Sequence, residues 1–176
     1  MILGKHIFLR PFSKSDIARS HHWLSKPELG SIMGYLPFPI DAQEEWFKTT
    51  INSRTKYIFA ICDAKSDEHI GNIAIGNVDH VSRNGMLSLF LAESSQRGKG
   101  FGEEATRLIL DFAFDRLNLH KVYLQASHTS SAAIALYQKV GFVKEGCMRE
   151  HQFQEGRFVD KILFGLLRDE YQTSPT

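Results

Sequence analysis

Apolar positions along the chain change their period several times, and each change marks an element. Between residues 103 and 117, Ala105, Leu108, Ile109, Phe112, Ala113 and Leu117 recur every three or four positions, the stripe of an amphipathic helix. Residues 6–10 instead alternate, with Ile7 and Leu9 on one side before Pro11 closes a short strand. Ser13, three before Asp16, opens a helix through Ala18 and Trp23. Pro27, Gly30, Gly34, Pro37 and Pro39 then predict loops with one turn of helix at most. Asp41 and Glu44 are spaced as the N-cap and N3 of a capping box, heading a helix over Trp46, Phe47 and Ile51.

Strand patterns dominate from residue 57. Runs at 57–62, 69–78 and 86–92, separated by polar turns, predict an antiparallel meander with bulges or bends at Gly71 and Gly76. A strand at 121–126 puts Val122 and Leu124 on one face. Ser130 or Ser131 caps a helix over 132–140, and Gly141 supplies its left-handed stop. Two last strands, 143–153 and 158–167, flank the Glu155-Gly156 turn. The sum is an α+β fold, a mainly antiparallel sheet containing a strand-helix-strand-helix unit. With no repeat or linker, residues 1–171 read as one domain and 172–176 as a tail.

Composition narrows the partners. Twenty-one Lys and Arg against twenty Asp and Glu leave a net charge of +1, which excludes a polyanion-coating protein. No nucleic-acid partner is expected, although one local anion site needs only a few groups. Cys62 and Cys147 sit among apolar neighbours and read as buried free thiols, and no Cys/His spacing suggests zinc. The start of the chain lacks a signal-peptide pattern, and no run reaches about 18 apolar residues. The expectation is a cytoplasmic protein without a membrane partner.

One segment carries identifiable chemistry. Gln96-Arg97-Gly98-Lys99-Gly100-Phe101-Gly102 joins the strand ending near Ala92 to the amphipathic helix. Its glycines allow a tight turn and close approach by a ligand, and the helix's first N–H groups and positive dipole end suit phosphate oxygens. A Walker loop is excluded because Gly102 is followed by Glu103, and the dinucleotide pattern fails because its third glycine comes one residue early.

This loop resembles the Q/R-x-x-G-x-G/A loop of the GNAT superfamily, the acetyl-CoA-dependent N-acetyltransferases. Downstream, Ala132-Ala133-Ile134-Ala135-Leu136-Tyr137-Gln138-Lys139-Val140-Gly141-Phe142 is similar to that superfamily's A-x-x-L-Y-x-K-x-G-F helix. The motifs come in the family's order, with a strand between them. The likeness covers residues 56–168 and extends to the opening Ile7-Phe8-Leu9-Arg10-Pro11-Phe12. It implies the GNAT fold, a mixed, mainly antiparallel sheet splayed at the coenzyme site and flanked by helices. It also implies acetyl-CoA as co-substrate and no metal. Arg97, Gly98, Lys99, Gly100, Phe101 and Gly102 would hold the pyrophosphate. Leu89, Phe90 and Leu91 would diverge from the 121–126 strand and pair with the pantetheine arm, a backbone N–H near Leu91 meeting the thioester carbonyl. Ser130 and Ala133 would lie against the coenzyme. Tyr137 matches the family's acid for the departing thiolate; the plain alternative is a core tyrosine with its hydroxyl tied to backbone.

Two departures matter. Ser130 stands where many members have Asn, and Met86 stands nearest to where many carry a Glu general base. At pH 7 an α-amino group of pKa near 7.8 is about 14% neutral, whereas a lysine-like amine of pKa near 10.4 is about 0.04% neutral, a cost of about 4.6 kcal/mol. A site without a strong base therefore favours peptide N-termini and amino sugars over polyamines. Glu93, His128, Glu150 and His151 are candidate substitutes for the base. Trp23, Tyr35, Phe38 and Trp46 are candidates for the acceptor wall, with His151 added as a substrate residue. The ending Arg149-Glu150-His151-Gln152-Phe153 with Gly156-Arg157-Phe158-Val159-Asp160 resembles the branch of ribosomal-protein N-terminal, spermidine and amino-sugar acetyltransferases. The expected partner is a small-molecule or peptide amine, a homodimer stays open, and so does a non-catalytic acyl-CoA-binding protein, which the absent Glu would suit.

Overall fold

The structure is a computed structural model that describes residues 1–34, 38–92, 96 and 98–172. Eight strands form one sheet: β1 (Ile2–Leu3), β2 (Ile7–Pro11), β3 (Tyr57–Asp63), β4 (His69–Asp79), β5 (Asn84–Leu91), β6 (Lys121–Ser127), β7 (Val143–Gln154) and β8 (Arg157–Leu167). Their spatial order is β1-β2-β3-β4-β5-β6-β8-β7, antiparallel throughout except where β5 meets β6. The α+β expectation with a mixed, mainly antiparallel sheet therefore holds. Register shifts near Gly71 and after Gly76 fall where bulges are expected.

One face of the sheet carries α4 (Phe101–Asp111) and α5 (Ser131–Val140). Ile7, Leu9, Ile73, Ile75, Leu124 and Leu166 bury there against Ile109 and Leu110. The chain continues from α4 into a π-helical turn, Phe112–Arg116. The wider turn shifts the stripe's register, and Phe114, outside the expected stripe, becomes a fully buried core residue. Glu104 ties α4 to the far side of the sheet: its carboxylate accepts the backbone N–H groups of Lys5, His6 and Ile7.

The other face carries α1 (Ile17–Leu24), α2 (Pro27–Met33) and α3 (Ile40–Ile51). The α2 helix overturns the loop expectation. Pro27 occupies its first turn, where a missing N–H costs nothing, and Gly34 (φ +76) is its left-handed stop. The residues that looked like breaks are the helix's two ends. The capping-box expectation for α3 also fails: Pro39 is the N-cap and Asp41 lies inside the first turn without a side-chain cap bond. A short C-terminal helix, α6 (Arg168–Gln172), extends the chain past the last expected strand. Among the described residues no helix is long and apolar enough to cross a membrane.

Cys62 is buried as expected, but Cys147 is exposed, because β7 is the sheet's edge and no described residue covers that stretch. Glu155 (φ +49) and Gly156 (φ +80) make the expected tight turn between β7 and β8, both in the left-handed region that a two-residue hairpin favours.

Beneath α1, β2 presents Arg10 to Asp16 in a two-pronged pair at 2.7 Å per contact. Burial alone would push the Asp16 carboxyl up, but Arg10 and the Ser13 backbone and hydroxyl donors outweigh it, and its pKa falls to about 2. Asp16→Ala should destabilise the fold by about 2–4 kcal/mol, because it strands a cation packed against the helical layer. A depressed carboxylate pKa contributes stability above about pH 4 that disappears as pH falls toward 2. Urea melts of wild type and variant should therefore differ most near neutrality and converge near pH 2. A gap that persists there would contradict the assignment.

Candidate active site

Parallel pairing of β5 with β6 lasts for three residue pairs, Asn84 with Lys121, Gly85 with Val122 and Met86 with Tyr123. Beyond them β5 stays with β4 as far as Leu91, and β6 stays with β8 as far as Ser127. The sheet therefore opens between the later halves of β5 and β6. Ala92 N donates to Ile70 O at 2.9 Å, and Phe90 O lies against Gly71 on β4. The strand's two-residue period then turns the N–H and C=O groups of Leu89 and Leu91 the other way, into the opening. An unpaired strand edge accepts another extended chain, and the amides of a pantetheine arm have that chemistry.

The glycine loop reaches α4 beside this opening. Gly98 (φ +74) and Gly100 (φ +82, the N-cap) are held in the left-handed region, while a Cβ at either would meet nothing within 4 Å. Backbone conformation, not crowding, calls for glycine there. The first intrahelical bond runs from Glu104 N to Gly100 O at 3.0 Å, so the N–H groups of Phe101, Gly102 and Glu103 leave the helix end unpaired. These amides fit a phosphate. Gly102 has a different reason: it lies in the helix, and a Cβ would sit 3.6–3.9 Å from Leu136, Leu89 and Leu91, an ordinary packing distance. It marks where α4, β5 and α5 converge. The Glu103 carboxylate is tied to Lys139 at 2.6 Å and to Arg107 at 3.3 Å, and these partners hold its pKa below the usual value. Lys99 is exposed at the rim, and Arg97 lies outside the described residues.

Ser130 is the N-cap of α5 through its carbonyl, which accepts Ile134 N at 3.0 Å, and its hydroxyl makes no capping bond. Ala133 is half-buried in the same turn. Tyr137 packs its ring 5.7 Å from Phe142 and 6.4 Å from Phe164. Among the described residues no group bonds its hydroxyl, so no backbone tie is seen there. Burial pushes its pKa up to about 12.

On the opposite face, α1–α3 and β3–β5 enclose a cavity of about 400 Å³. Its polar lining is Ser20, Gln43, Lys56, Asn72 and Ser88, with Phe38, Trp46 and Phe90 among its apolar walls. No carboxylate lines it among the described residues. Asn72 Nδ2 donates to Ser20 Oγ at 2.9 Å, and Asn72 Oδ1 lies 2.7 Å from His69 Nε2. His69 is buried, which lowers its pKa, and its Nδ1 faces Asp16 at 3.4 Å without hydrogen-bond geometry. The Arg10–Asp16 pair thus sits below the cavity floor.

Of the expected acceptor residues, Phe38 and Trp46 line the cavity. Trp23 does not: it is buried beside it, edge-on to His69 (4.8 Å) and Phe90 (6.2 Å). His151 is exposed on β7, away from the lining, and Tyr35 lies outside the described residues. Among the base candidates, Glu93 is also outside them, Glu150 is exposed, and His128 Nδ1 accepts the Asp160 N–H at 3.1 Å. Ser20, Gln43, Lys56, Asn72 and Ser88 escaped the sequence reading. Asn72 and Ser88 could have been noticed as polar interruptions of apolar strands. Among the described residues no three His, Cys, Asp or Glu side chains gather to hold a metal ion.

Comparison with known proteins places this geometry. Residues 6–143 match the family described as an acetyltransferase (GNAT) domain. The chain is 28% identical over 170 residues to the spermidine N(1)-acetyltransferase of Vibrio cholerae, covering 96% of this chain and 97% of that one. It is 33% identical over 172 residues to the prophage-derived N-acetyltransferase YokL of Bacillus subtilis, covering 96% and 94%. The crystal structure of the Vibrio cholerae spermidine N-acetyltransferase with CoA and spermine superposes with a TM-score of 0.90 at 26% identity, covering 97% of this chain and 100% of that one. By that match and that likeness the chain belongs to the GNAT acetyltransferase family and is an acetyl-CoA-dependent N-acetyltransferase.

Proposed function

We propose that the acceptor is a primary amine of low pKa, a peptide N-terminus or an amino sugar, taken in preference to a polyamine. The amine attacks the acetyl thioester directly in a ternary complex. The observation that carries this reading is the cavity beside the opened sheet, which has no carboxylate among its described lining residues and one cation, Lys56. A polyamine brings several ammonium groups, each costly to desolvate without a partner. Met86, in the last parallel pair before the opening, cannot take a proton. Spermidine acetylation, the activity named for several relatives, is the competing reading.

In this reading the amides of residues 97–102, with Arg97 and Lys99, hold the pyrophosphate. The Leu89 and Leu91 backbone, with Phe90 between, accepts the pantetheine arm, and the Leu91 N–H faces the thioester carbonyl oxygen as oxyanion donor. Ser130 and Ala133 lie against the coenzyme, and Phe38 and Trp46 wall the acceptor. Tyr137 serves the departing sulfur. With its pKa near 12, full proton transfer to a thiolate of parent pKa about 8.5 is uphill by about 5 kcal/mol. Its contribution is therefore a hydrogen bond, and the proton released by the amine neutralises the sulfur through solvent. Self-association belongs to the same reading: Phe153 and Phe158, packed edge to face at the β7–β8 tip, are 62% and 64% exposed, and a Vibrio cholerae relative is dodecameric. The two free thiols suit a cytoplasmic setting.

A panel of peptide N-termini, amino sugars and polyamines, followed by thiol release across pH, tests the acceptor class. For a peptide, kcat/KM should rise about tenfold per pH unit and level off near pH 8, where the α-amine is neutral. Loss of the Tyr137 proton would lower the rate only as pH approaches 12, so Tyr137 itself gives no falling limb below pH 10. Spermidine turning over best at neutral pH would overturn the reading. Tyr137→Phe should lower kcat by about 100-fold while leaving CoA affinity within about twofold. Gly100→Ala strains the loop by about 1 kcal/mol and should weaken CoA binding, read by calorimetry, by about fivefold.

A further inference from the structure

We infer that Lys56 recognises an anionic group, a carboxylate or a phosphate, on the acceptor, so that preferred substrates carry negative charge near the amine that is acetylated. This rests on the acceptor reading of the cavity. Lys56 immediately precedes β3, and its stem lies across Gly76 of β4, where a Cβ would come within 3.7–4.0 Å of its Cγ, Cδ and Cε atoms. Gly76 pairs with Met86, and Met86 with Tyr123. Lys56, Gly76, Met86 and Tyr123 therefore make one row across the sheet, and that row ends at the last paired residues before the opening.

The ammonium sits 4.8 Å from the centre of the Trp46 ring, half-buried in the cavity wall. A ring face compensates part of a cation's lost hydration, not all of it. Three other lysines have carboxylate partners: Lys48 pairs with Glu45, Lys121 with Glu145 and Lys139 with Glu103. Lys56 has no such partner among the described residues, and burial alone lowers its pKa. Gln43, buried in the same wall, has its Oε1 without a hydrogen-bond partner and can accept from an N–H donor. A cation lacking an anion and an acceptor lacking a donor together match a ligand carrying both an anion and an amine or amide N–H.

The test is steady-state acetylation of matched amines by the full chain. One pair is a Ser-Glu against a Ser-Gln peptide; the other is glucosamine 6-phosphate against glucosamine, with spermidine as the cationic control. The wild type should show kcat/KM about tenfold higher for the anionic member of one pair, and Lys56→Met should bring that pair within about twofold. CoA affinity, set on the opposite face, should not change in the variant. The responding pair identifies the anion as carboxylate or phosphate. Lys56→Arg keeps the charge and should keep the preference; its loss there too would assign the effect to packing and overturn the inference. Equal turnover within both pairs by the wild type, or a preference that survives Lys56→Met, would overturn it while leaving the low-pKa acceptor reading in place. Spermidine as the best wild-type substrate would remove both.

Discussion

The interaction on which the site depends is the one that stops. Parallel pairing between β5 and β6 ends at Met86 and Tyr123, while both strands continue on their outer sides, β5 against β4 and β6 against β8. Each strand keeps half of its backbone bonds satisfied and offers the other half to the opening. Unpaired polar backbone is costly when buried without a partner, so a ligand with amides of its own is the complement such an opening calls for. The separation is braced on the α4–α5 face by the Glu103–Lys139 bridge between the two helices. Glu104, the next residue, anchors α4 to the backbone of residues 5–7.

Because β5 alternates, one strand borders both the opening and the cavity. The Leu89 and Leu91 side chains pack toward α4 and α5, and their backbone groups point into the opening. Ser88 and Phe90 face the cavity under α1–α3. Moving the register of β5 by one residue would exchange these assignments and fail both sides together. A chain of polar contacts ties the cavity floor together. Ser20 is held by Asn72, Asn72 by His69, and His69 lies against the Asp16 that Arg10 pins to β2.

Where the fold was legible, local chemistry and tertiary context agreed. The α4 stripe, the Gly141 stop and the Glu155-Gly156 turn each act through their own neighbours. Pro27 and Gly34 misled because a proline and a glycine bounding seven residues read equally as a broken stretch and as a short helix with proper ends. Phe114 was missed because a π-helical turn has no signature in a 3.6-residue period. The glycine loop is contiguous and so is visible in the sequence. The cavity draws single polar residues from positions 20, 43, 56, 72 and 88, and only the folded sheet brings them together. Trp23 shows the converse: a large aromatic near a site packs as readily beneath it as into it.

Met86 and Lys56 make sense as a pair. A fixed cation in the cavity disfavours a second positive charge there, and so depresses the pKa of an incoming ammonium. Two unit charges about 7 Å apart at an effective dielectric near 20 repel by about 2 kcal/mol, more than one pKa unit. That recovers for a single amine part of what a missing general base leaves unpaid. For an α-amine already close to neutral at pH 7 it is enough to make the nucleophile abundant. For a polyamine the same field repels every ammonium along the chain, reacting or not. A negative group on the acceptor, paired with Lys56, would cancel much of that field, so for such a substrate the lysine acts by binding and positioning rather than by lowering the amine's pKa. In the proposed reading, a row that holds Lys56 and Met86 bears on both the proton balance and the charge selectivity of the site.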